Sequence, residues 1–307
     1  MQVVHALHGG PDPSGVALTI GNFDGVHRGH RAILGRLLEL AAATGAAPTV
    51  LTFDPHPQAV LRGHAPLALS TFDRRMALLA EAGIERVVVL PFDRELSLVE
   101  PEDFGRDVLA GRLGVRAIVV GSNFRFGHKA RGDVAMLASL GEAAGFSVET
   151  VTVGELEGRR LSSTEIRTAI RECDVAWAAK ALGRPHLVPG RIVRGKGRGV
   201  SLGFPTANIE PPEGFCLPGL GIYAGHLLVE GQRLVSAISV GTNPTFGDNP
   251  ISLEAYALDF EGDLYGEEGG IEFAAWLRAE EAFPDAEALS AAIDHDVAEV
   301  RRLLGVS

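Results

Sequence analysis

The 307-residue chain has little of three things: long apolar runs, cysteine and net positive charge. No apolar run approaches the roughly 18 residues that span a bilayer, and residues 1–8 lack the basic and apolar stretches of a secretion signal. The two cysteines, Cys173 and Cys216, form neither a metal-ligand spacing nor a disulfide framework. A formal net charge of −11 argues against the basic face that nucleic-acid binding requires. We therefore expect a cytoplasmic protein with no nucleic-acid or membrane partner, in which any anion site is local.

The rest of the composition is that of an ordinary globular protein. Apolar residues make up 46% and charged residues 22% of the chain, which is close to the usual balance. The length predicts about two domains. We find neither an internal repeat nor a low-complexity tract, so the two halves of the chain are interpreted separately.

The first half alternates strand-like and helix-like segments. Predicted strands are 16–20, 48–53, 86–90, 116–120 and 147–151, and predicted helices are 72–82, 101–113 and 134–144. Apolar strands separated by helices indicate a parallel sheet that is covered on both faces. Ligands of such sheets bind at the carboxyl ends of the strands. Two glycine-containing segments, 21–29 and 121–127, follow predicted strands and are expected at that edge.

The pattern changes after about Leu182, where helical periodicity gives way to short strands and turns. Predicted strands are 190–194, 221–229, 234–240 and 252–258. Their close Gly and Pro punctuation indicates an antiparallel barrel or sandwich. Apolar residues at helical spacing predict a terminal helix over 286–304. We therefore expect two domains, residues 1–185 and 186–307.

The decapeptide GNFDGVHRGH at residues 21–30 is the most informative feature of the chain. It joins an apolar, β-branched strand to a helical pattern, so a tight glycine turn brings two histidines to a helix N-terminus. Backbone N–H groups and the helix dipole favour anions at such a terminus. Histidines three residues apart lie close enough to share one phosphate group. The alternative is a glycine-rich loop with incidental histidines, and the coincidence of strand, turn and helix argues against it.

This decapeptide resembles the H-x-G-H signature of nucleotidylyltransferases, in the form found in bacterial bifunctional riboflavin kinase/FAD synthetases. The resemblance implies a Rossmann-like domain that transfers AMP from ATP to FMN. It assigns His27, His30 and Arg167 to stabilising the charge that develops on the triphosphate. The ATP-binding residues that it implies in this domain are Gly21, Phe23, Asp24, Gly29, Asn123, Ser163 and Thr164.

Three further segments of the first half resemble parts of the same family. LSSTEIR at 161–167 predicts a capped helix start, and the resemblance implies contacts with triphosphate oxygens. GSNFRFG at 121–127 resembles a G-x-D-F-x-F-G loop, in which Asn123 replaces a common Asp. An amide there still forms hydrogen bonds but gives no charge-based metal binding. DPHP at 54–57 resembles an F-x-P-H-P segment, in which His56 either lines the flavin side or only shapes the loop.

The strongest signal of the second half is GRIVRGKGRGVSLGFPTAN at residues 190–208. Glycines let backbone N–H groups approach a phosphate closely. The PTAN tetrapeptide resembles the riboflavin kinase signature, which implies that Thr206 and Asn208 bind the magnesium of ATP or its phosphates. An ordinary turn is the alternative. The phosphate-binding residues implied in the preceding loop are Gly195, Lys196, Gly197 and Gly199.

Glu254 matches the position of the catalytic glutamate in the same kinase family. Phosphorylation of a primary alcohol needs one base that takes its proton. Glu254 alternates with apolar neighbours on a predicted strand, so it is directed either into solvent or into a site. Further matches to the family favour the site; they are PGLGIYA at 218–224, GTNPTFG at 241–247 and DLYG at 263–266.

These resemblances cover nearly the whole chain and imply a bifunctional enzyme of FAD biosynthesis, with ATP, riboflavin, FMN and FAD as ligands and Mg²⁺ as cofactor. The expected fold is α/β plus β: a Rossmann-like domain with a parallel sheet, then an antiparallel β-barrel with a terminal helix. One alternative is an enzyme in which only the kinase site works, and both histidines argue against it. The other is a non-catalytic flavin-binding protein, and Glu254 argues against it. The sequence leaves homo-oligomerisation open.

Overall fold

The computed structural model describes residues 1–5, 15–195, 204–242 and 251–306. The chain divides into two compact units, Met1–Ser163 and Thr164–Ser307. The split precedes the expected boundary at 185/186, because the helix Val175–Leu182 packs on two strands of the second unit. The assignment of one activity to residues 1–185 and the other to 186–307 stays a prediction.

The first unit contains a six-stranded, fully parallel sheet, which confirms the predicted Rossmann-like architecture. The order of its strands is β1-β4-β3-β2-β5-β6. These strands are β1 (Gln2–His5), β2 (Val16–Ile20), β3 (Ala47–Asp54), β4 (Arg86–Pro91), β5 (Val115–Gly121) and β6 (Ser147–Val151). A short hairpin follows, made of β7 (Glu155–Leu156) and β8 (Arg159–Arg160).

Helices connect the parallel strands, and most of them begin at a side chain that caps the first turn. They are α1 (Arg28–Thr44), α2 (Pro57–Arg62), α3 (Phe72–Glu81), α4 (Arg94–Ser97), α5 (Pro101–Asp103, continued as a π-helix over Phe104–Arg112) and α6 (Val134–Ala144). Thr71 caps the N-terminus of α3 through its side chain. Gly45 ends α1 in the left-handed conformation that glycine adopts without strain.

The strands bury alternate residues on the two faces of the sheet. Ala17 packs with α1 and α3, whereas Leu18 packs with the π-helix Phe104–Arg112 and with α6. Full burial of one Leu or Ile side chain contributes about 1.5–3 kcal/mol, so both faces hold the sheet in register.

The order of the strands creates a crevice beside the carboxyl end of β2. The chain leaves β2 for β3 on one side, and β5 lies on the other side. Ligands of open α/β sheets bind where the order reverses in this way. The turn after β2 and the loop after β5 flank this point, as the sequence predicted.

The second unit opens with two helices and continues as a closed barrel of six antiparallel strands, in the order β10-β13-β12-β11-β14-β9. A barrel is therefore confirmed, and a sandwich is wrong. The elements are α7 (Ser163–Arg171), α8 (Val175–Leu182), β9 (His186–Val193), β10 (Ala207–Glu210), β11 (Gly221–Val229), β12 (Gln232–Thr242), β13 (Ile251–Ala257), β14 (Glu268–Arg278) and α9 (Ala286–Leu304). The terminal helix α9 has the predicted bounds and lies against β11 and β12.

Strand β14, which the sequence did not predict, pairs with both β11 and β9 and so closes the barrel. This strand begins Glu-Gly-Gly, which reads as a loop. A Cβ at Gly269 would lie 2.6 Å from the carbonyl oxygen of Leu228, and one at Gly270 would lie 2.9 Å from that of Val188. Both glycines are therefore required by close strand packing rather than by a turn.

Candidate active sites

The turn after β2 has a tightly constrained backbone. Phe23 and Val26 have φ angles of 51° and 38°, values that non-glycine residues rarely adopt. The N–H of Val26 donates to the carbonyl of Phe23 at 3.1 Å, which closes the turn. A Cβ at Gly29 would lie 2.5 Å from Cγ1 of Val153. Only glycine lets the first turn of α1 approach so closely.

The two histidines of the decapeptide lie together, as predicted. His27 is the N-cap of α1, and its Nδ1 accepts the N–H of His30 at 3.2 Å. That bond places the proton of the neutral ring on Nε2. The rings stack with centroids 3.6 Å apart and planes 19° from parallel, and Phe23 packs on His30 at 4.9 Å. The pair therefore stands at the positive end of a 17-residue helix.

Asp24 supports the turn through its carboxylate. The carboxylate accepts the N–H of Leu69 at 3.0 Å and the N–H and hydroxyl of Ser70 at 3.1 and 3.2 Å. Asp24 is 7% exposed, and these bonds engage both of its oxygens. The ATP contact predicted for Asp24 stays a prediction, and the observed role of the side chain is to tie the turn to residues 69–70.

Ser163 also lies at this turn, because its hydroxyl donates to the carbonyl of Asp24 at 3.1 Å. Ser163 is the first residue of α7, so the predicted helix start is confirmed. Thr164 and Arg167 follow on α7 within one turn of it. Both belong to the second unit, and their contact with a triphosphate stays a prediction.

A cavity of about 980 Å³ opens beside the turn, at the carboxyl edge of the sheet. Gly21, Asn22, His56 and Asn123 line it. The aromatic side chains that line it are Phe53, Phe92, Phe104, Phe124 and Phe126. Phe124 and Phe126 stack at 5.7 Å, and Phe53 meets Phe92 edge-on at 5.5 Å. The cavity therefore suits a flat, extended aromatic ligand.

His56 lies in the wall of this cavity. Its ring lies 3.0 Å from the side-chain nitrogen of Asn22, and its Nδ1 accepts the N–H of Gln58 at 3.2 Å. His56 thus also caps α2. Both roles left open by the sequence, cavity wall and loop structure, are compatible with this placement.

In the barrel, Thr206, Asn208 and Glu254 lie together. Asn208 on β10 is directly opposite Glu254 on β13. The hydroxyl of Thr206 donates to the carboxylate of Glu254 at 3.0 Å. A Cβ at Gly195 would clash with the amide of Asn208, so that glycine packs against the group. Lys196, Gly197 and Gly199, and the family match at 243–247, lie outside the described residues.

Two pockets meet at Thr206. One, of about 270 Å³, contains Glu254 and extends to Leu289 and Ile293 on α9. The other, of about 80 Å³, contains Pro205 and Tyr265. The Thr206–Glu254 hydrogen bond therefore lies where a larger and a smaller pocket adjoin.

An ion pair that the sequence did not reveal closes the first of these pockets. Arg278 on β14 donates to both carboxylate oxygens of Asp296 on α9, at 2.9 and 2.7 Å, and lies over the ring of Phe283. The hydrogen bonds to Asp296 raise the pKa of Arg278. The sequence signal for this ion pair was Asp296, an acidic residue among the apolar positions 293, 297 and 300 of the terminal helix.

The described residues provide no group of three or more His, Cys, Asp and Glu side chains placed to hold a metal. In the same ranges, no helix is both long and apolar enough to cross a membrane. Oxygen donors are present at Thr206, Asn208 and Glu254, the type of ligand that Mg²⁺ accepts together with water and phosphate.

Comparison with known proteins matches each half to a family model: FAD synthetase over residues 10–165 and riboflavin kinase over residues 182–304. The bifunctional riboflavin kinase/FMN adenylyltransferase of Pseudomonas fluorescens is 38% identical, over 100% of this chain and 99% of the relative. Its counterpart in Escherichia coli K12 is 35% identical, over 99% and 97%. A crystal structure from Streptococcus pneumoniae, described as a macrolide-efflux protein, superposes with a TM-score of 0.90 at 26% identity, covering 97% of this chain and 98% of that one.

Proposed function

The chain belongs to the bifunctional riboflavin kinase/FMN adenylyltransferase family, and we propose which of its residues carry out each reaction. It phosphorylates riboflavin with ATP to give FMN, and it adenylylates FMN with a second ATP to give FAD and pyrophosphate. The histidine pair beside the aromatic cavity supports the assignment of adenylyl transfer to the first unit. The Thr206–Glu254 contact between two pockets supports the assignment of the kinase to the barrel.

In adenylyl transfer, the aromatic cavity holds the flavin ring and the turn after β2 holds the triphosphate. The FMN phosphate attacks the α-phosphate of ATP, so no covalent nucleophile is needed from the protein. His27 and His30 stabilise negative charge on the triphosphate from the N-terminus of α1. Their stacking fixes both rings before ATP binds, which lowers the cost of ordering them in the transition state.

The remaining nucleotide contacts in this reaction come from the turn and from α7. Gly21 and Gly29 let the chain approach the phosphates, and Phe23 fixes the ring of His30. Asn123 hydrogen-bonds the ligand from the cavity wall. Ser163, Thr164 and Arg167 bind triphosphate oxygens, which is the usual use of hydroxyls and a guanidinium at a helix start.

In the kinase reaction, Glu254 is the base that takes the proton of the riboflavin 5′-hydroxyl. The larger pocket between the barrel and α9 accepts riboflavin, and the smaller pocket at Tyr265 accepts part of ATP. The hydroxyl of Thr206 donates a hydrogen bond to Glu254 and keeps its oxygen lone pairs for a ligand. The γ-phosphate then meets the hydroxyl at the boundary between the two pockets.

We propose Thr206 and Asn208 as the residues that hold Mg²⁺ with ATP. Hard oxygen ligands of this kind fit an ion that also keeps water and phosphate oxygens. When bound, Mg²⁺ neutralises charge on the β- and γ-phosphates. Gly195, Lys196, Gly197 and Gly199 complete the phosphate site in this proposal. The cytoplasm is the proposed place of action, since both reactions consume ATP.

One incubation tests the whole assignment. Wild-type protein with riboflavin, ATP and Mg²⁺ should produce FMN first and FAD later, separated by chromatography. His30→Ala should accumulate FMN, and Glu254→Gln should leave riboflavin unconverted while still turning added FMN into FAD. FMN without FAD from the wild type would indicate a single working site, and no product at all would indicate a flavin-binding protein.

A further inference from the structure

Residues 69–75, here called the support segment, hold the turn after β2 at several points. Leu69 and Ser70 donate three hydrogen bonds to the carboxylate of Asp24, as described above. The hydroxyl of Ser70 also accepts the N–H of Gly25 at 3.1 Å. At the other end of the segment, Arg75 on α3 donates from Nη1 to the carbonyl of Asn22 at 2.9 Å. Three residues of the turn, Asn22, Asp24 and Gly25, are therefore fixed by one segment.

Arg75 is a largely buried cation with few hydrogen-bond partners among the described residues, which is unusual for a residue with a purely structural role. Its guanidinium lies 5.4 Å from the ring centre of Phe72, and its buried Nε has no hydrogen-bond partner among the described residues. Burial lowers the pKa of Arg75, and the carboxylates of Asp24 and Asp54 oppose that effect. An under-paired cation in such surroundings costs stability that an apolar side chain of similar size would not cost.

Among the residues that the structure describes, the side chain of Arg75 makes one hydrogen bond, and its acceptor is the Asn22 carbonyl of the turn. The turn holds Phe23 and Val26 at positive φ, a conformation that persists only when the surroundings impose it. The next residue along is His27, whose ring caps α1 and stacks on His30. A shift at Asn22 is therefore transmitted through two strained residues to the histidine pair.

We propose that Arg75 is a positioning residue for adenylyl transfer, acting through the carbonyl of Asn22 to hold the turn that presents His27 and His30. The inference rests on the proposed role of the histidine pair and adds a residue that does not line the cavity. Misplacement of reacting groups by about 1 Å can cost on the order of 100-fold in rate. Loss of Arg75 should therefore lower kcat more than it weakens the binding of FMN.

The test uses the full-length protein and three variants on α3. Arg75→Met removes the charge and the hydrogen bond but keeps the length of the side chain. Arg75→Lys restores a donor and a charge. Arg74→Met is the matched control, because Arg74 is the neighbouring arginine on the same helix and pairs at the surface with Glu81. FAD formation from FMN and FMN formation from riboflavin are measured separately, below the melting temperature of each variant.

Arg75→Met should lower kcat for FAD formation by about 10- to 100-fold, with a change of less than about threefold in the KM for FMN. Riboflavin phosphorylation should stay at the wild-type rate. Arg75→Lys should recover most of the lost kcat, and Arg74→Met should match the wild type. Equal kcat values for Arg75→Met and Arg74→Met would overturn the proposal, as would a loss that only follows the unfolded fraction measured by circular dichroism.

Ser70→Ala provides a second approach that does not depend on the folding of Arg75→Met, because it loosens the same turn while Arg75 stays in place. It removes contacts to Asp24 and Gly25, so by itself it should lower kcat for FAD formation and leave FMN formation unchanged. Its effect should also be less than additive with that of Arg75→Met. Strict additivity would mean that the two residues act on separate elements, and the proposal would be wrong. His30→Ala separates the two levels of inference: if it abolishes FAD formation while Arg75→Met does not alter it, the histidine site stands and the role of Arg75 fails.

Discussion

Replacement of Glu254 by Gln separates catalysis from structure in the kinase site. Glutamine keeps the size of the side chain and an oxygen that can still accept the hydroxyl of Thr206, so the 3.0 Å contact can persist. Hydrogen bonds to charged groups contribute about 1.5–3 kcal/mol and neutral ones about 0.5–1.5 kcal/mol. The free energy of unfolding should therefore fall by only about 1 kcal/mol.

The expected loss of catalysis is much larger. A carboxylate base contributes about 10²- to 10⁴-fold in rate, which corresponds to roughly 3–5 kcal/mol of transition-state stabilisation. The assay follows FMN formation at saturating ATP and riboflavin, with binding of each substrate measured separately. Both substrates should still bind, and FAD formation from added FMN should be unchanged.

A second strand carboxylate of the barrel provides the control. Glu272 on β14 pairs with Arg233 at 2.9 Å and does not line either pocket at Thr206. Glu272→Gln should keep the wild-type kcat for FMN formation. If Glu254→Gln also phosphorylates riboflavin at the wild-type rate, the general-base assignment is wrong and Glu254 only anchors Thr206.

Four other outcomes can be checked. His30→Ala should stop FAD formation and leave FMN formation near normal, and equal loss of both in a folded variant would contradict separate sites. Asn208→Ala should raise the ATP and Mg²⁺ concentrations needed for FMN formation, and an unchanged dependence would remove its metal role. A fragment of residues 164–307 should fold and phosphorylate riboflavin. A fragment of residues 184–307 should melt at a lower temperature because it lacks α8, and equal melting temperatures would contradict this. Burial and the nearby Arg233 lower the pKa of His226, whereas Glu272 raises it. The contribution of His226 to the free energy of unfolding should therefore be complete above about pH 6.5 and decrease as the pH falls below that value. If His226→Gln leaves the pH dependence of the free energy of unfolding unchanged, this expectation is wrong.

Much of the fold followed from local signals. The apolar segments that alternate with helical patterns in the first half predicted five of the six parallel strands, and the terminal helix was placed at its observed bounds. The four-residue strands β1 and β10 were missed, because segments that short carry little periodicity. Strand β14 was missed because Gly269 and Gly270 resemble a turn, and their requirement for close packing becomes visible only when the neighbouring strands are in place.

The candidate sites were predictable where they coincide with sequence motifs. The proximity of His27 to His30 and the grouping of Thr206, Asn208 and Glu254 followed from sequence motifs, whereas the stacking of the two histidine rings did not. The engagement of Asp24 by residues 69–70 could not be predicted, because its partners, two backbone N–H groups and one hydroxyl, are 45 and 46 positions away. The same holds for Arg278 and Asp296, since which acid meets which base depends on how α9 lies across the barrel.

Because His27 caps α1, a substitution at this position changes the stability of the helix as well as the proposed reaction centre. One ring nitrogen completes the fold of the helix, while the ring itself belongs to the proposed reaction centre. Replacement by alanine would remove both functions at once, and loss of a cap alone costs about 1 kcal/mol. Asparagine is the more informative substitute, because its side-chain oxygen can accept the same N–H. The side chains that position 27 tolerates are therefore limited in two ways. They must be able to cap α1, and they must also serve the proposed reaction.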